Sequence, residues 1–347
     1  MNTLVGNKNN KGGVTSGLSA NIPAYADRPP RSEIKEYSPV PQALAPIWPL
    51  DSSLDIRIYV SPSTAMPPLD AVPQTSLILD EADFKMGNYS DTREIETSFP
   101  VPKEVQQNGT LWAHFYVALH GHQLDPAAKD YDPGTAVHFL RPLNQFLPKK
   151  REAVRKNLLS AAEEPEPVVD DAPKYSIVSY YHPNFTVSVI PDTGVLAYPQ
   201  MHPAVRQYVQ VERTGARDIT GKNSWYYPIV FLNTFWQLRS HMMELNSTVE
   251  TLPIHITLNN LRNWKFSVMA SLDESAKQSA WQAVSGTPSP TGGDGSEFEM
   301  IKEILLDTNP YLLATTAIVT VLHMVFETLA FKNDIVSRRK NYLSVRC

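Results

Sequence analysis

The chain has 347 residues, a formal net charge of −5 and a single cysteine, Cys347. This length allows one large domain or two smaller ones with tails, and a mean hydropathy of −0.27 excludes a protein built mostly of membrane spans. One cysteine excludes an intrachain disulfide, and the absence of a long basic block gives no reason to expect a nucleic-acid partner.

Residues 1–47 are predicted to form a disordered N-terminal segment. They are rich in Asn, Gly, Ser and Pro and lack apolar periodicity. A signal peptide needs a basic start followed by an apolar run, and neither pattern occurs in this segment. We therefore expect no signal peptide there.

Residues 48–284 are predicted to form a β-rich domain. Leu54–Val60 alternates apolar and polar residues, as a half-buried strand does. Other strand candidates share Tyr, Val, Ile and Phe and are bounded by turn residues: Thr110–Leu119, Tyr175–Tyr181, Phe185–Ile190, Gln207–Val211, Tyr226–Leu232 and Ile254–Leu258. His182-Pro183-Asn184 predicts a hairpin or a corner. Few long helices separate these strands, so we predict a mainly β fold, an antiparallel sandwich-like domain.

A charged segment interrupts this domain between Lys149 and Asp171, basic in its first half and acidic in its second. The first half predicts a short helix and the second an exposed loop. A patch for nucleic acid or lipid headgroups is an alternative, but a solvated surface element is the better interpretation.

The C-terminal part is predicted to cross a membrane once. A flexible linker and pre-membrane segment, 285–310, precedes an apolar run at 311–331, which at ~1.5 Å per residue spans the ~30 Å hydrocarbon core. The short tail, 332–347, is basic, and the positive-inside rule places it in the cytosol and the large domain in the lumen. A buried core helix is the alternative.

Four polar residues share one face of this predicted span, at spacings of four, three and four: Thr316, Thr320, His323 and Glu327. An ionisable side chain at membrane depth costs a few kcal/mol unless it faces protein or water. We therefore predict that this intramembrane polar stripe packs against other transmembrane helices. Two interpretations stay open: a hydrophilic path or helix–helix lock, and a hydrogen-bonded pair that only orients neighbouring helices.

Four Asn-X-Ser/Thr sequons lie on the side that the charge rule assigns to the lumen, at Asn88, Asn108, Asn184 and Asn246. None has proline at its middle position. We predict these asparagines to be glycosylation sites, and their placement favours the same orientation.

The sequence contains no recognisable catalytic motif, so we predict that the protein is not an enzyme and has no catalytic residues, no cofactor and no metal. His120, His122 and Asp125 could form a metal site, but an exposed turn is the better interpretation. Six aromatic residues could line a glycan or lipid pocket, but a place in the core is the better default: Trp225, Tyr226, Tyr227, Phe231, Phe235 and Trp236.

Four segments resemble the cleft lip and palate transmembrane protein family: Val101–Thr110, Tyr226–Asn233, Asp307–Leu313 and Phe326–Ile335. The last is the most specific. The resemblance implies an N-terminal anchor, a large luminal domain and a cluster of C-terminal transmembrane helices, in the endoplasmic reticulum and Golgi membranes. The chain departs from that pattern at both ends, so we interpret it as a truncated member.

The resemblance also implies two functions. The leading hypothesis is a luminal domain that binds client membrane proteins or lipid-linked glycans and controls their assembly or trafficking. The alternative is a lipid scramblase for phospholipid or glycosyl-phosphatidylinositol precursors, inactive in a truncated chain. The implied partners are membrane lipids, client membrane proteins and transmembrane helices missing from this chain, with no nucleic acid.

Overall fold

A computed structural model describes residues 22–150, 175–285, 300, 302–304, 306 and 308–344. The chain divides into two compact units, Met1–Gly292 and Gly293–Cys347. The described part of the first unit is rich in strands, as predicted: β1 (Ala43–Pro46), β2 (Ser53–Ser61), β3 (Leu77–Lys85), β4 (Arg93–Pro100), β5 (Trp112–Leu119), β6 (Ala136–Pro142), β7 (Asn144–Lys150), β8 (Tyr175–Tyr181), β9 (Asn184–Ile190), β10 (Leu196–Ala197), β11 (Asn223–Tyr226), β12 (Ile229–Asn233), β13 (Met243–Glu244) and β14 (Thr251–Asn260).

The described part of the first unit has fewer helices than strands: α1 (Lys103–Gln106), α2 (Pro203–Arg206) and α3 (Asn263–Ser285). Short 3-10 turns add to them: Tyr25–Asp27, Arg31–Glu33, Leu69–Ala71, Gln74–Ser76, Tyr198–Gln200 and Arg239–His241. The second unit contains one long described helix, α4 (Pro310–Ser344).

Two four-stranded sheets pack face to face and form the centre of the first unit. One has the order β3-β2-β5-β6 and the other β12-β9-β14-β4. Ile58 and Phe115 of the first sheet and Phe185 and Ile256 of the second line one small apolar void between the sheets. All four side chains are almost fully buried in a shared core. The predicted sandwich-like, mainly β domain is therefore confirmed.

The strand pairing is mainly but not wholly antiparallel. In the second sheet β9 and β14 run parallel, with Ile256 opposite Phe185. In a smaller sheet of order β10-β1-β11, β1 and β11 also run parallel. A parallel pair needs a long connection between its strands, and the chain from β9 to β14 passes through β10, α2, β11, β12 and β13. The second small sheet, β13-β8-β7, is antiparallel.

The prediction that residues 1–47 are disordered is wrong for the described residues 22–47, which pack on the domain. Leu44 of β1 is fully buried between β10 and β11. The Trp225 indole N–H donates to the Pro23 carbonyl, and the Ser38 amide donates to the Gly221 carbonyl. The segment is rich in proline and small residues and shows no apolar periodicity, so its sequence resembles a disordered one. Its order comes instead from partners that are distant in the sequence.

Two predicted strands differ from the observed structure. Gln207–Val211 is not a strand: it follows the short helix α2, which ends at Arg206, as a turn, and within this range Val211 forms an isolated bridge to Tyr226. The range Tyr226–Leu232 belongs to two strands, because Tyr227 and Pro228 interrupt the strand between β11 and β12. His182-Pro183-Asn184 forms a corner, since β8 and β9 belong to different sheets.

The helix α3 is the largest element that the sequence did not predict. Phe266 and Ala270 of α3 are buried, and the Phe266 ring contacts those of Tyr208 and Phe231 edge-on. Asp273 is also buried and accepts hydrogen bonds from Thr234 and Lys277. The helix is thereby fixed to the outer side of β12 and covers the second sheet.

Several predicted boundaries fall on other elements or outside the described residues. The basic start of the Lys149–Asp171 segment ends strand β7 instead of starting a helix, and residues 151–171 lie outside the described part. The predicted linker begins where α3 ends, at Ser285, and 286–299 also lie outside it. The span predicted at 311–331 is part of a longer helix that continues to Ser344.

Candidate functional site

The helix α4 carries the candidate site, and its start is set by local sequence. Asn309 accepts the Tyr311 amide with its side-chain oxygen at 2.9 Å. Asparagine is a preferred N-terminal cap, and Pro310 occupies the first helical position, where its missing N–H costs nothing. Asn309 would extend the polar stripe by helical periodicity, but its side chain serves the cap.

Within α4, Ala314–Asn333 is long and apolar enough to cross a membrane, with a mean hydropathy of 1.6. At ~1.5 Å per residue its length matches the ~30 Å core of a bilayer. Its large apolar side chains are exposed within the described chain, including Phe326 and Phe331. Such a surface requires lipid or other apolar helices around it.

The structure places the four predicted stripe residues together on one face of α4. His323 Nε2 lies 3.3 Å from Glu327 Oε1, one helical turn further along. The Thr320 hydroxyl donates to the Thr316 carbonyl at 2.8 Å. A threonine that bonds its own helix satisfies its donor without a partner helix, so it is cheap to place in lipid. The strong polar chemistry of the stripe is therefore concentrated in His323 and Glu327.

Other threonines of α4 show the same backbone bonding. Thr315 donates to the Tyr311 carbonyl, and Thr328 donates to the carbonyls of Met324 and Val325. Their hydroxyls add little to the polarity of the helix surface. They provide a reference for substitutions, because they lie near the stripe and carry no ionisable group.

The four sequon asparagines are exposed in the structure, at the surface of the first unit. Asn88 follows β3 and Asn246 precedes β14, each in a loop. Asn108 follows α1 with a φ of 69°, and Asn184 is the first residue of β9. Glycosylation at these positions stays a prediction.

The aromatic cluster belongs to the core. Trp225, Tyr226, Tyr227 and Phe231 are buried, and Phe235 is nearly so. Trp236 alone of the six keeps an exposed part, at 36 %. The interpretation as core packing is confirmed for the first five.

His120 and His122 lie in an exposed turn after β5. The His122 amide donates to the Leu119 carbonyl, and Gly121 has a φ of 80°. His120 Nδ1 lies 2.7 Å from Asp55 Oδ1, and this hydrogen bond raises the pKa of His120. Asp125 instead accepts the amides of Leu69 and Ala127. In the described ranges no three His, Cys, Asp or Glu side chains are grouped to hold a metal ion.

Sequence reasoning missed a pair of stacked histidines on the sheet that contains β5 and β6. His114 is fully buried and His138 is half-buried, and burial lowers the pKa of both. For His138, the neighbouring His114 and Arg213 lower the pKa further, to about 4. The two residues face each other across the β5–β6 ladder, a relation that only the strand register reveals.

Comparison with known proteins places these features in a family. The sequence profile described as "Cleft lip and palate transmembrane protein 1 (CLPTM1)" matches residues 6–345. The chain is 31 % identical over 303 residues to the "Putative lipid scramblase CLPTM1" of Danio rerio, covering 83 % of this chain and 45 % of that protein. No solved structure matches the chain.

Two further relatives show the spread of the family. The "CLPTM1-like membrane protein cnrB" of Dictyostelium discoideum is 28 % identical, covering 86 % of this chain and 44 % of that protein. The human "Lipid scramblase CLPTM1L" is 27 % identical, covering 81 % of this chain and 48 % of its own length. The chain therefore spans about half the length of the curated relatives it matches. Profile and relatives agree along most of the sequence, and the chain belongs to the cleft lip and palate transmembrane protein 1 family of membrane proteins.

Proposed function

We propose that this chain contributes to lipid scrambling, the movement of phospholipids or related glycolipid precursors between the leaflets of a membrane. The names of the relatives support this function, which the sequence analysis placed second. The hypothesis of client binding has no comparable support from the comparisons. Scrambling moves a lipid without making or breaking bonds, which agrees with the absence of a recognisable catalytic motif from the sequence.

The single observation that carries the proposal is the His323–Glu327 pair on an apolar, span-length helix. A lipid headgroup crosses the hydrocarbon core only along a polar surface, because charge and hydrogen-bonding groups cost several kcal/mol there. The pair offers both an imidazole and a carboxylate, one turn apart on the same face of the helix. These groups match the cationic and phosphate parts of a phospholipid headgroup in charge and hydrogen bonding.

In this proposal the stripe of α4 forms one wall of the headgroup path and other transmembrane helices form the rest. Thr320 and Thr316 line the same face about one and two turns before His323, and the Thr320 hydroxyl stays close to the backbone. Such a path needs moderate polarity along its length. It must not bind the headgroup tightly at any point, because the headgroup has to leave again.

The membrane in question, in this proposal, is that of the endoplasmic reticulum or Golgi, with the first unit in the lumen. The exposed sequon asparagines support this orientation, as do the basic residues that follow the apolar part of α4.

The test is a scrambling assay on the full-length protein in liposomes with a fluorescent phospholipid. A membrane-impermeant reductant bleaches only the outer leaflet unless the lipid exchanges. We expect Glu327→Gln and His323→Gln each to slow the exchange by about tenfold or more, since each removes one side of the pair. Thr328→Val is the control, because Thr328 bonds its own helix, and its rate should stay at the wild-type level.

Equal rates for all three variants and the wild type contradict the assignment of the path to this stripe. An inactive wild-type protein, shown to be inserted and folded, contradicts the scrambling function itself.

A further inference from the structure

Helix α3 is apolar on two opposite sides. Its inner side packs on the domain through Phe266 and Ala270. Its outer side carries three apolar residues at successive spacings of four, which places them in one stripe. These are exposed to 59 %, 51 % and 39 %: Trp264, Val268 and Leu272, here called the outer α3 stripe. A monomeric surface seldom leaves such a stripe uncovered by a partner or a membrane.

Basic residues flank the N-terminal end of the outer α3 stripe. Arg262 and Lys265 are exposed, and Lys265 Nζ lies 5.8 Å from the centre of the Trp264 ring. Tryptophan with adjacent arginine and lysine is the composition that proteins place at the headgroup level of a bilayer. The acidic Asp273 is turned to the other side of the helix, where it is buried and bonded to Thr234 and Lys277.

The chain links α3 to α4, the helix that crosses the membrane in the proposed function. The connection from Ser285 to Pro310, where α4 begins, can extend to at most ~90 Å. A tether of this kind raises the effective concentration of the bilayer at α3 and makes even weak interfacial binding persistent.

We propose that the outer α3 stripe is a membrane-docking surface that lies in the interface of a phospholipid bilayer. Trp264, Val268 and Leu272 enter the boundary between headgroups and acyl chains, and Arg262 and Lys265 contact the phosphate groups. The helix axis then lies parallel to the membrane plane, as in interfacial amphipathic helices. Phe266 and Asp273 hold the helix to β12 and Thr234, so the docking orients the whole β-rich domain over the bilayer.

The test uses this 347-residue chain in proteoliposomes of phosphatidylcholine. Cys347→Ser provides a background without cysteine, in which Val268→Cys carries an environment-sensitive fluorophore. Ile219→Cys is the matched control, because Ile219 is an exposed apolar residue of a loop, at 62 %. We expect blue-shifted emission at position 268 and quenching by nitroxide-labelled lipid at least ~3-fold stronger than at position 219.

A second measurement leaves the chain unmodified. Photoactivatable phosphatidylcholine is crosslinked to the wild-type protein, and the adducts are located by mass spectrometry. Adducts on residues 263–278 together with adducts on α4 support the proposal. Adducts on α4 without adducts on α3 overturn it, as do equal quenching and emission at positions 268 and 219. These readouts are independent of scrambling rates. A negative result here therefore leaves the proposed function untouched, and a negative scrambling assay leaves the docking surface untouched.

Discussion

His114 Nδ1 lies 3.1 Å from His138 Nε2, and the two imidazole rings are stacked with their centres 5.3 Å apart. His114 Nε2 lies 2.9 Å from the Ser63 carbonyl, which can only accept. Nε2 of His114 therefore carries the proton, and its Nδ1 accepts from the N–H of His138. Tyr116 stacks on the other side of His138, with ring centres 4.3 Å apart. Protonation of His114 would set two donors against each other at this distance.

We expect the domain to lose stability as the pH falls from about 6.5 towards 4, because the pKa of His138 is lowered to about 4 in the fold. As the pH falls, the unfolded chain takes up protons at these histidines near their ordinary pKa, before the folded chain does. Their contribution to stability is therefore fully present above that pKa and is lost progressively below it. The loss should be on the order of 2 kcal/mol, measured by urea unfolding across the window. In His138→Gln the free energy of unfolding should depend less steeply on pH over this range. An unchanged dependence shows that other groups cause it.

Gly221→Ala should destabilise the domain by about 3 kcal/mol. Gly221 has a φ of 69°, and an added Cβ would overlap the carbonyl oxygen of Glu36. The N-terminal segment must then move away from the 212–221 loop. Gly194→Ala is the matched control: its φ is 62° and its Cβ meets no atom within 4 Å, so only backbone strain of about 1 kcal/mol is expected. Equal unfolding midpoints for the two variants contradict the steric argument.

Tyr25→Phe should cost about 2 kcal/mol, because it removes a buried hydrogen bond to a carboxylate. The Tyr25 hydroxyl donates to Glu212 Oε1 at 3.2 Å, and Glu212 also accepts the amides of Thr214 and Ala216. Tyr37→Phe is the control: the Tyr37 hydroxyl bonds the Gly215 carbonyl at the surface, so its loss should stay within about 0.5 kcal/mol. Chemical denaturation of the wild type and the two variants measures both costs, and a larger cost for Tyr37→Phe than for Tyr25→Phe contradicts the argument from the buried hydrogen bond.

Glycosidase treatment of protein expressed in animal cells should increase its electrophoretic mobility if the first unit is luminal. Replacing all four asparagines by Gln, at positions 88, 108, 184 and 246, should abolish the shift, since each is an exposed acceptor. Each single variant serves as a control for the others. A wild-type chain that is insensitive to the enzyme contradicts the luminal orientation.

The sequence predicted those strands whose own residues carry a strand signal. Leu54–Val60, for example, alternates apolar and polar residues and lies within β2. Strand β4 was missed because Arg93–Pro100 is an edge strand with charged, exposed side chains. Its composition carries no strand signal, and its hydrogen bonds to β14 hold it in the sheet. Strand β1 was missed for a related reason, since Ala43–Pro46 is ordered by β10 and β11 far along the chain.

The polar stripe of α4 was predictable because helical spacing alone places His323 one turn from Glu327. The outer α3 stripe follows the same spacing but was missed, since α3 is apolar on two sides and does not show one clear amphipathic face. The His114–His138 pair was beyond sequence reasoning: the two residues meet only through the register of β5 with β6.

The pairing of strands that lie far apart in the sequence has a consequence for biosynthesis. Strand β4 hydrogen-bonds to β14, and β1 to β10 and β11, so early parts of the chain wait for partners that are made much later. The second sheet cannot assemble until Asn260 has emerged from the ribosome. A domain dominated by such distant contacts folds slowly, and β4 stays open to wrong pairing in the meantime. Nascent chains of this protein should therefore depend on chaperones until shortly before helix α4 is synthesised.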